Sequence, residues 1–356
     1  MRYEISARFT KIIATAAALL VVAQAQAISP AALMQGIPSL APMLEQVTPA
    51  VVSISVSKAM PAAERDSQFL GRSYATGAGS GVIVDAAGGL IITNHHVVAN
   101  ASRITVRLHD ERTLEARLLG SDPGTDVALL QVEAEDLIEI VFADTSTVAV
   151  GDYVVAIGNP FGIGQTVTSG IVSALGRSGI NNANYEDFIQ TDAAINLGNS
   201  GGALVDMEGN LIGINTAIIS GGGGSNGIGF AVPADMVASV MEHLKRDGQV
   251  RRGLLGVTIA DATPAIVAAL EVDVDHGAVV TSVLPASAAE KAGVQLSDVI
   301  VEIDGKAVRG SRQLRNIVGL MRQDQQVELV LYRNGIRESL QARIGGSAGE
   351  PSREIP

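Results

Sequence analysis

The chain has 356 residues, of which 47% are hydrophobic and 17% are charged, so it can form about two folded domains and is not a disordered chain. Its formal net charge is −12 and it has no long basic run, which argues against nucleic-acid binding by phosphate neutralisation. It contains no cysteine, so neither disulfides nor thiol chemistry contribute to its stability or activity.

The first 27 residues have the pattern of a secretory signal peptide. Basic residues precede an apolar run at 12–23, which is shorter than the ~20 residues needed to span a bilayer. A small-x-small triplet at 25–27 follows and favours cleavage there. We therefore expect export to a bacterial periplasm, with an uncleaved membrane anchor as the alternative. Residues 28–48 are expected to form an N-terminal arm that ends in a short helix.

From Pro49 onwards, short segments rich in Val, Ile and Thr are separated by Gly, Asp or Asn, as is typical of strands. The predicted strands are 51–56, 79–85, 90–98, 103–108, 113–120, 126–132, 153–158, 165–175, 202–206, 211–219 and 227–232. Many strands without intervening helices indicate antiparallel barrels or sandwiches. We expect a mainly β fold in which two small barrels pack against each other.

The pattern changes at Pro233, where apolar residues take helical spacing up to a stop at Gly248. This helix is predicted to close a first domain over residues 49–248. A second, α+β unit is predicted over 252–345, with short helices and a hairpin on Asn334-Gly335. The polar tail, 346–356, is expected to be disordered.

The stretch "NLGNSGGALVD" (196–206) places one hydroxyl, that of Ser200, among residues with almost no side chain. Such a cluster is usually a turn, because Gly tolerates positive φ and Ser bonds to its own backbone. It is a nucleophile only if the chain also supplies a base and an acceptor that orients that base.

The candidate bases are the paired histidines of "TNHHVV", His95 and His96, and the spacing alone does not choose between them. The candidate acceptor is Asp126, which directly precedes an apolar strand, with Asp122 and Asp110 as alternatives. The order His, Asp, Ser along the chain is that of chymotrypsin-type proteases, which have two β-barrels. The N–H groups of Gly198 and Ser200 could then form an oxyanion hole, and Gly201 and Gly202 could admit the substrate carbonyl.

Several longer blocks resemble the HtrA/Deg family of bacterial envelope serine proteases, with a second unit similar to that family's PDZ domain. The blocks are "ITNHHVVANA", "DPGTDVALLQV", "AIGNPFGIGQTVTSGIVSALGRSG", "FIQTDAAINLGNSGGALVDMEGNLIGINTAI", "GIGFAVPADM", "RRGLLGV", "VLPASAAEKAGVQLSDVIVEIDGK" and "LYRNG". Together they extend from about residue 45 to about residue 345.

The resemblance implies a chymotrypsin-like double-barrel protease domain followed by one PDZ domain. It implies that His96 is the general base, Asp126 the acid and Ser200 the nucleophile, with Gly198 and Ser200 as oxyanion donors. Arg177 and Phe161 match an activation relay, and no metal or cofactor is implied. The expected activity is ATP-independent cleavage of unfolded envelope proteins; the alternatives are a chaperone and a regulatory protease of an envelope stress response.

The resemblance also leads us to expect two binding surfaces. The base of the primary specificity pocket falls at Ala194, and apolar neighbours favour small aliphatic substrate residues over Arg or Lys. The predicted pocket residues are Ala194, Ile195, Ile214 and Ala217. The PDZ groove is expected to bind C-terminal peptides through Leu254, Leu255, Gly256, Val257, Ile259, Leu314, Ile317 and Val318. The family also leads us to expect a homotrimer.

Overall fold

The computed structural model describes residues 39–59, 74–159, 164–180, 185–196, 198–218 and 225–346. The predicted leader, most of the predicted arm, Phe161 and residues 347–356 lie outside these ranges. The chain divides into compact units at 1–42 and 43–356, and the larger unit holds every element below except the first two residues of helix α1 (Ala41–Val47).

The first six strands close into an antiparallel barrel in the order β1-β2-β3-β6-β5-β4. They are β1 Val51–Ala59, β2 Tyr74–Asp85, β3 Leu90–Thr93, β4 Ala101–Arg107, β5 Thr113–Asp122 and β6 Val127–Gln131. Alternate residues of β1, namely Val52, Ile54 and Val56, are buried in the barrel core. Residues 94–98 were predicted to continue the third strand, but the strand ends at Thr93 and a short helix, α2 (His95–Val98), follows.

The next six strands close a second barrel of corresponding order, β10-β11-β12-β9-β8-β7. They are β7 Tyr153–Gly158, β8 Thr166–Arg177, β9 Phe188–Thr191, β10 Ala203–Val205, β11 Leu211–Ile218 and β12 Gly229–Pro233. Two closed antiparallel barrels confirm the mainly β, double-barrel fold predicted from the strand pattern.

Helix α3 (Ala234–Asp247) closes this part of the chain, as predicted. Pro233 precedes it, and Gly248 ends it with φ +69°, a left-handed conformation that Gly adopts without strain. Its apolar face, which includes Val237 and Val240, is buried. Across the described ranges, no helix has both the length and the apolar character needed to cross a membrane.

The segment 253–346 contains both helices and strands. Its main sheet has the order β14-β15-β16-β18-β19, so β14 lies at an edge. Its strands are β13 Gly253–Leu254, β14 Val257–Asp261, β15 Ala278–Val283, β16 Val299–Ile303, β17 Lys306–Ala307, β18 Gln326–Arg333, β19 Ile336–Arg343 and β20 Gly345–Gly346. The helices are α4 Pro264–Ala269, α5 Ala288–Ala292 and α6 Ser311–Leu320. Asn334 and Gly335 both have positive φ, as the predicted hairpin turn requires; α4 was not predicted.

Buried polar contacts join this unit, and Arg252 directly before it, to both barrels. The Arg252 guanidinium pairs with Asp122, the last residue of β5, and lies 3.9 Å from the ring centroid of Tyr185. The Asn316 amide of α6 donates to the carbonyl oxygen of Glu186 at 2.9 Å. Burial raises the pKa of the neighbouring Asp187 to about 6; the charge of Asp235 also raises it, and the charges of Arg309 and Arg312 lower it.

Candidate active site

The turn that carries Ser200 is buried and fixed by its backbone. Gly198 and Gly201 have φ of +97° and +83°, values that favour glycine. The carbonyl oxygen of Ser200 accepts a 2.8 Å bond from the N–H of Ser80 in the first barrel, and Gly201 N–H donates to Asn215 in the second. This stretch is therefore a rigid turn at the junction of the barrels and not a loose surface loop.

The glycines after Ser200 are required by the protein's own backbone. A Cβ at Gly201 would lie 2.2 Å from the carbonyl oxygen of Ser80, and one at Gly202 would lie 2.2 Å from that of Ile157. Their absent side chains were predicted to admit a substrate carbonyl. That prediction is wrong, because neighbouring strands, and not open space for a substrate, lie where the Cβ atoms of Gly201 and Gly202 would be.

The side chains of His96 and Asp126 lie within hydrogen-bonding distance of each other. His96 Nδ1 lies 2.8 Å from Asp126 Oδ2, and the backbone N–H of His96 donates to Oδ1 at 3.0 Å. Because a carboxylate only accepts, the proton lies on Nδ1, which leaves Nε2 of a neutral ring as an acceptor. The imidazole is about half exposed, whereas Asp126 is nearly buried.

The alternatives left open by the sequence are engaged elsewhere. The His95 ring bonds to Ser121 Oγ at 2.9 Å. Asp122 pairs with Arg252, and Asp110 pairs with Arg112. Of the candidates, the structure brings together only His96 and Asp126 within the residues it describes.

Asp126 is held in a strained backbone conformation, with φ +58°, that is uncommon for a residue with a side chain. Its carbonyl oxygen accepts bonds from the Asn94 amide at 3.0 Å and from the N–H of His95 at 3.1 Å. These bonds fix the conformation that turns the carboxylate towards His96.

Thr216 is a residue of this site that the sequence reasoning missed. Its Oγ1 donates to Asp126 Oδ2 at 2.5 Å, and its carbonyl oxygen accepts the Ser200 hydroxyl at 3.1 Å. Hydrogen bonds thus link His96 to Asp126, Asp126 to the Thr216 hydroxyl, and the Thr216 carbonyl oxygen to Ser200. The local sequence, Asn215-Thr216-Ala217, contains no signal that distinguishes this threonine from other strand residues.

The surroundings of Asp126 favour its charged form. Burial raises its pKa, but the hydrogen bonds and charge of His96 and the hydroxyl of Thr216 outweigh burial and hold the pKa below its usual range. The carboxylate is therefore ionised at neutral pH and available to stabilise a proton on His96.

The backbone N–H groups of Gly198 and Ser200 form no hydrogen bond with the residues that the structure describes. They remain available as donors. Leu197, which precedes them, lies outside the described residues.

The predicted pocket residues differ in how far they are buried. Ala194 is half-buried, and its carbonyl oxygen accepts a 2.8 Å bond from Thr168 Oγ1. Ile195 and Ile214 are buried, with 1% and 0% exposure, and Ile195 packs in the core of the second barrel. The side chain of Ala217 is not described, although its backbone pairs with Phe230 in β11 and β12.

Arg177 is exposed at the end of β8, where Nε donates to the Gln190 side chain at 3.0 Å. Its predicted neighbour Phe161 lies outside the described residues. In the parts that are described, no group of three or more acidic or histidine side chains is arranged to hold a metal ion.

The residues predicted for the peptide groove surround the edge strand β14 and helix α6. Leu255, Leu314 and Val318 are buried in the core of this unit. Val257, Ile259 and Ile317 are partly buried and pack against that core. Gly256 has φ +81°, and Leu254 is 46% exposed.

Comparison with known proteins identifies relatives that are serine endoproteases. The models of a trypsin-like peptidase domain and a PDZ domain match residues 79–214 and 253–344. The periplasmic serine endoprotease DegP of Salmonella typhimurium is 44% identical over 366 residues, covering 91% of this chain and 77% of that protein. The periplasmic pH-dependent serine endoprotease DegQ of Escherichia coli is 47% identical, covering 84% and 68%. A solved structure of the HtrA-type protease AlgW with a tripeptide superposes with TM-score 0.69 at 42% identity, covering 88% of this chain and 98% of that one.

We predict that Thr216→Val lowers the free energy of unfolding at neutral pH by about 1.5–3 kcal/mol, the usual contribution of a hydrogen bond to a charged group. Because the folded pKa of Asp126 is lowered, its stabilisation is present above the unfolded pKa and lost as pH falls through the folded pKa. The deficit of the variant should therefore shrink in acid. Urea unfolding from pH 7 to pH 3 measures it, with Thr216→Ser, which keeps the hydroxyl, as the matched control. Equal deficits in both variants, or one independent of pH, would contradict this role.

Proposed function

The chain belongs to the DegP/DegQ family of HtrA-type serine endoproteases, and on that premise we propose that His96, Asp126 and Ser200 form its catalytic triad. The observation that carries the proposal is the series of hydrogen bonds that links His96 to Asp126, Asp126 to Thr216 and Thr216 to Ser200. It joins a base of defined tautomer to a hydroxyl on a rigid turn.

In this mechanism, Ser200 Oγ attacks the substrate carbonyl carbon while its proton passes to His96 Nε2. Asp126 stabilises the imidazolium through Nδ1–H. The hydroxyl donates to Thr216 in the structure, so it must first rotate towards His96. The proton then passes to the leaving amine, and water releases the acyl group from Ser200 by the same path.

The oxyanion of the tetrahedral intermediate is proposed to accept hydrogen bonds from the N–H groups of Gly198 and Ser200. Support comes from their lack of other partners among the described residues and from the rigid turn between them. Removing one such donor costs ~10²–10³ in rate in serine proteases.

We assign catalysis to residues 49–248 and peptide capture to a PDZ domain at 252–345. Edge strand β14 can pair with an added strand, and α6 lies beside it, which is the arrangement used in strand addition. The positive φ of Gly256 lets the preceding loop turn its N–H groups towards a terminal carboxylate. The proposed ligands are C-terminal peptides and unfolded chains.

The proposed location is the periplasm, since relatives are named periplasmic endoproteases and the leader is predicted to direct export. Arg177 and Phe161 are proposed to relay activation. The proposed assembly is a homotrimer, and sedimentation of the exported protein measures it.

A chaperone role is the second candidate. It requires that Ser200→Ala retain full protection of a substrate against aggregation.

The central experiment measures initial cleavage of an unfolded protein by the exported chain, with and without peptides that end in free apolar carboxylates. We expect cleavage that Ser200→Ala abolishes and that such peptides accelerate. Amidated versions of the same peptides are the matched control, because they lack the carboxylate. Cleavage that persists in Ser200→Ala would overturn the triad. Equal rates with free and amidated peptides would leave the protease and remove the PDZ role in activation.

We also predict cleavage after small aliphatic residues, because Ala194 offers no charge to a cationic side chain. Burying Arg or Lys without a partner is costly. Reporter peptides that differ only at the residue before the cleaved bond, Val or Ala against Arg, measure the ratio of kcat/KM. Equal kcat/KM for the Val and Arg reporters would refute the assignment.

A further inference from the structure

Ser80 lies in β2, is fully buried, and uses all of its hydrogen-bonding groups at the junction of the barrels. Its N–H donates to the carbonyl oxygen of Ser200 at 2.8 Å. Its own carbonyl oxygen accepts the Thr93 hydroxyl at 2.7 Å. Its Oγ donates to the carbonyl oxygen of Gly198 at 2.6 Å and accepts the N–H of Asn159 at 2.7 Å.

The hydroxyl therefore bridges two segments of the second barrel from a strand of the first. One segment begins at Asn159, directly after β7, and the other is the turn that presents Ser200. A buried hydroxyl with one donor and one acceptor bond is fully satisfied, and both partners would be left unpaired without it.

The bond to Gly198 fixes a particular peptide plane. That plane contains the carbonyl of Gly198 and the N–H of Asn199. Ser80 holds its oxygen, and the carbonyl oxygen of Asn196 accepts its N–H at 3.0 Å. The next plane is held by the bond from Gly202 N–H to the carbonyl oxygen of Asn199 at 2.9 Å. Of the two proposed oxyanion donors, Ser200 N–H belongs to this second plane, and Gly198 N–H belongs to the peptide plane directly before the first.

Both sequence neighbours of Ser80 are glycines, and the surroundings of each leave no room for a side chain. A Cβ at Gly79 would lie 2.9 Å from Val97 and 3.2 Å from the carbonyl oxygen of Ser200. A Cβ at Gly81 would lie 2.8 Å from Ile54 and Ile91. The missing side chain of Gly79 therefore lets the strand approach the Ser200 turn, and that of Gly81 leaves room for the core of the first barrel.

We propose that Ser80 is a positioning residue for the oxyanion turn, whose hydroxyl holds Gly198 N–H in the direction that receives the developing negative charge. The inference rests on the proposed triad and oxyanion donors. Ser80 touches no reacting atom and acts through the oxyanion donors, which bind charge that develops in the transition state, so its loss should lower kcat more than it changes KM.

The test compares Ser80→Ala with Ser53→Ala in the full exported chain. Ser53 is the cross-strand partner of Ser80 in β1 and is 2% exposed, so it is a matched deletion of a buried hydroxyl. For Ser80→Ala we expect kcat on a peptide reporter to fall ~10–100-fold with KM within about twofold, since part of an oxyanion contribution is lost. The affinity for a peptide boronate, whose tetrahedral adduct places an oxygen in the hole, should fall by a similar factor. Ser53→Ala should leave both quantities within about twofold of the wild type.

Ser80→Cys serves as the conservative variant, because a thiol is of similar size but is a weaker donor. We expect its kcat to lie between those of the wild type and Ser80→Ala, and it decides the question if Ser80→Ala does not fold. Thermal unfolding verifies that each variant is folded at the assay temperature. Wild-type kcat in the folded Ser80 variants, or a loss carried by KM, would overturn the inference and leave the triad intact. Activity retained by Ser200→Ala in the same assay would instead overturn the proposed function.

Discussion

The carboxylate of Asp126 accepts hydrogen bonds from both barrels, and the arrangement of the site depends on it. From the first barrel it receives the ring and backbone N–H of His96, and from the second the hydroxyl of Thr216. Burial alone would favour the neutral acid, but these donors keep the pKa low and the group charged. One buried anion therefore sets the tautomer of the proposed base and ties it to the strand beside Ser200.

The second constraint is how closely the barrels approach. Gly201 and Gly202 lie against the carbonyl oxygens of neighbouring strands at distances that leave no room for a Cβ. Ser80 bonds across this contact to the carbonyl oxygens of Ser200 and Gly198. The small residues around Ser200 thus allow the two β-barrels to pack closely. We attribute the direction of the Gly198 and Ser200 N–H groups to the rigidity of that packing.

Much of the fold could be predicted from the sequence because strand periodicity and turn residues are local signals. The hairpin at Asn334-Gly335 and the helix that ends at Gly248 are examples. The short helix at His95–Val98 was missed because its Val-Val pair favours a strand, whereas the contact of His96 with Asp126 determines its conformation. Thr216 and Ser80 could not be found in this way, since their roles arise from contacts between residues that are 90 and 118 positions apart.

The most direct test of this account is the rate at which a fluorophosphonate labels Ser200 in the wild type and in Asp126→Asn. Labelling requires an activated hydroxyl but no peptide binding, so it isolates the part played by the anion. An amide at this position can donate to Nδ1 and reverse the tautomer of His96, so we predict a fall in rate of ~10⁴, as for the equivalent change in serine protease triads. Asp122→Asn, at the end of β5 just before the turn that holds Asp126 and paired with Arg252, is the control. Labelling of Asp126→Asn at the wild-type rate would contradict the account.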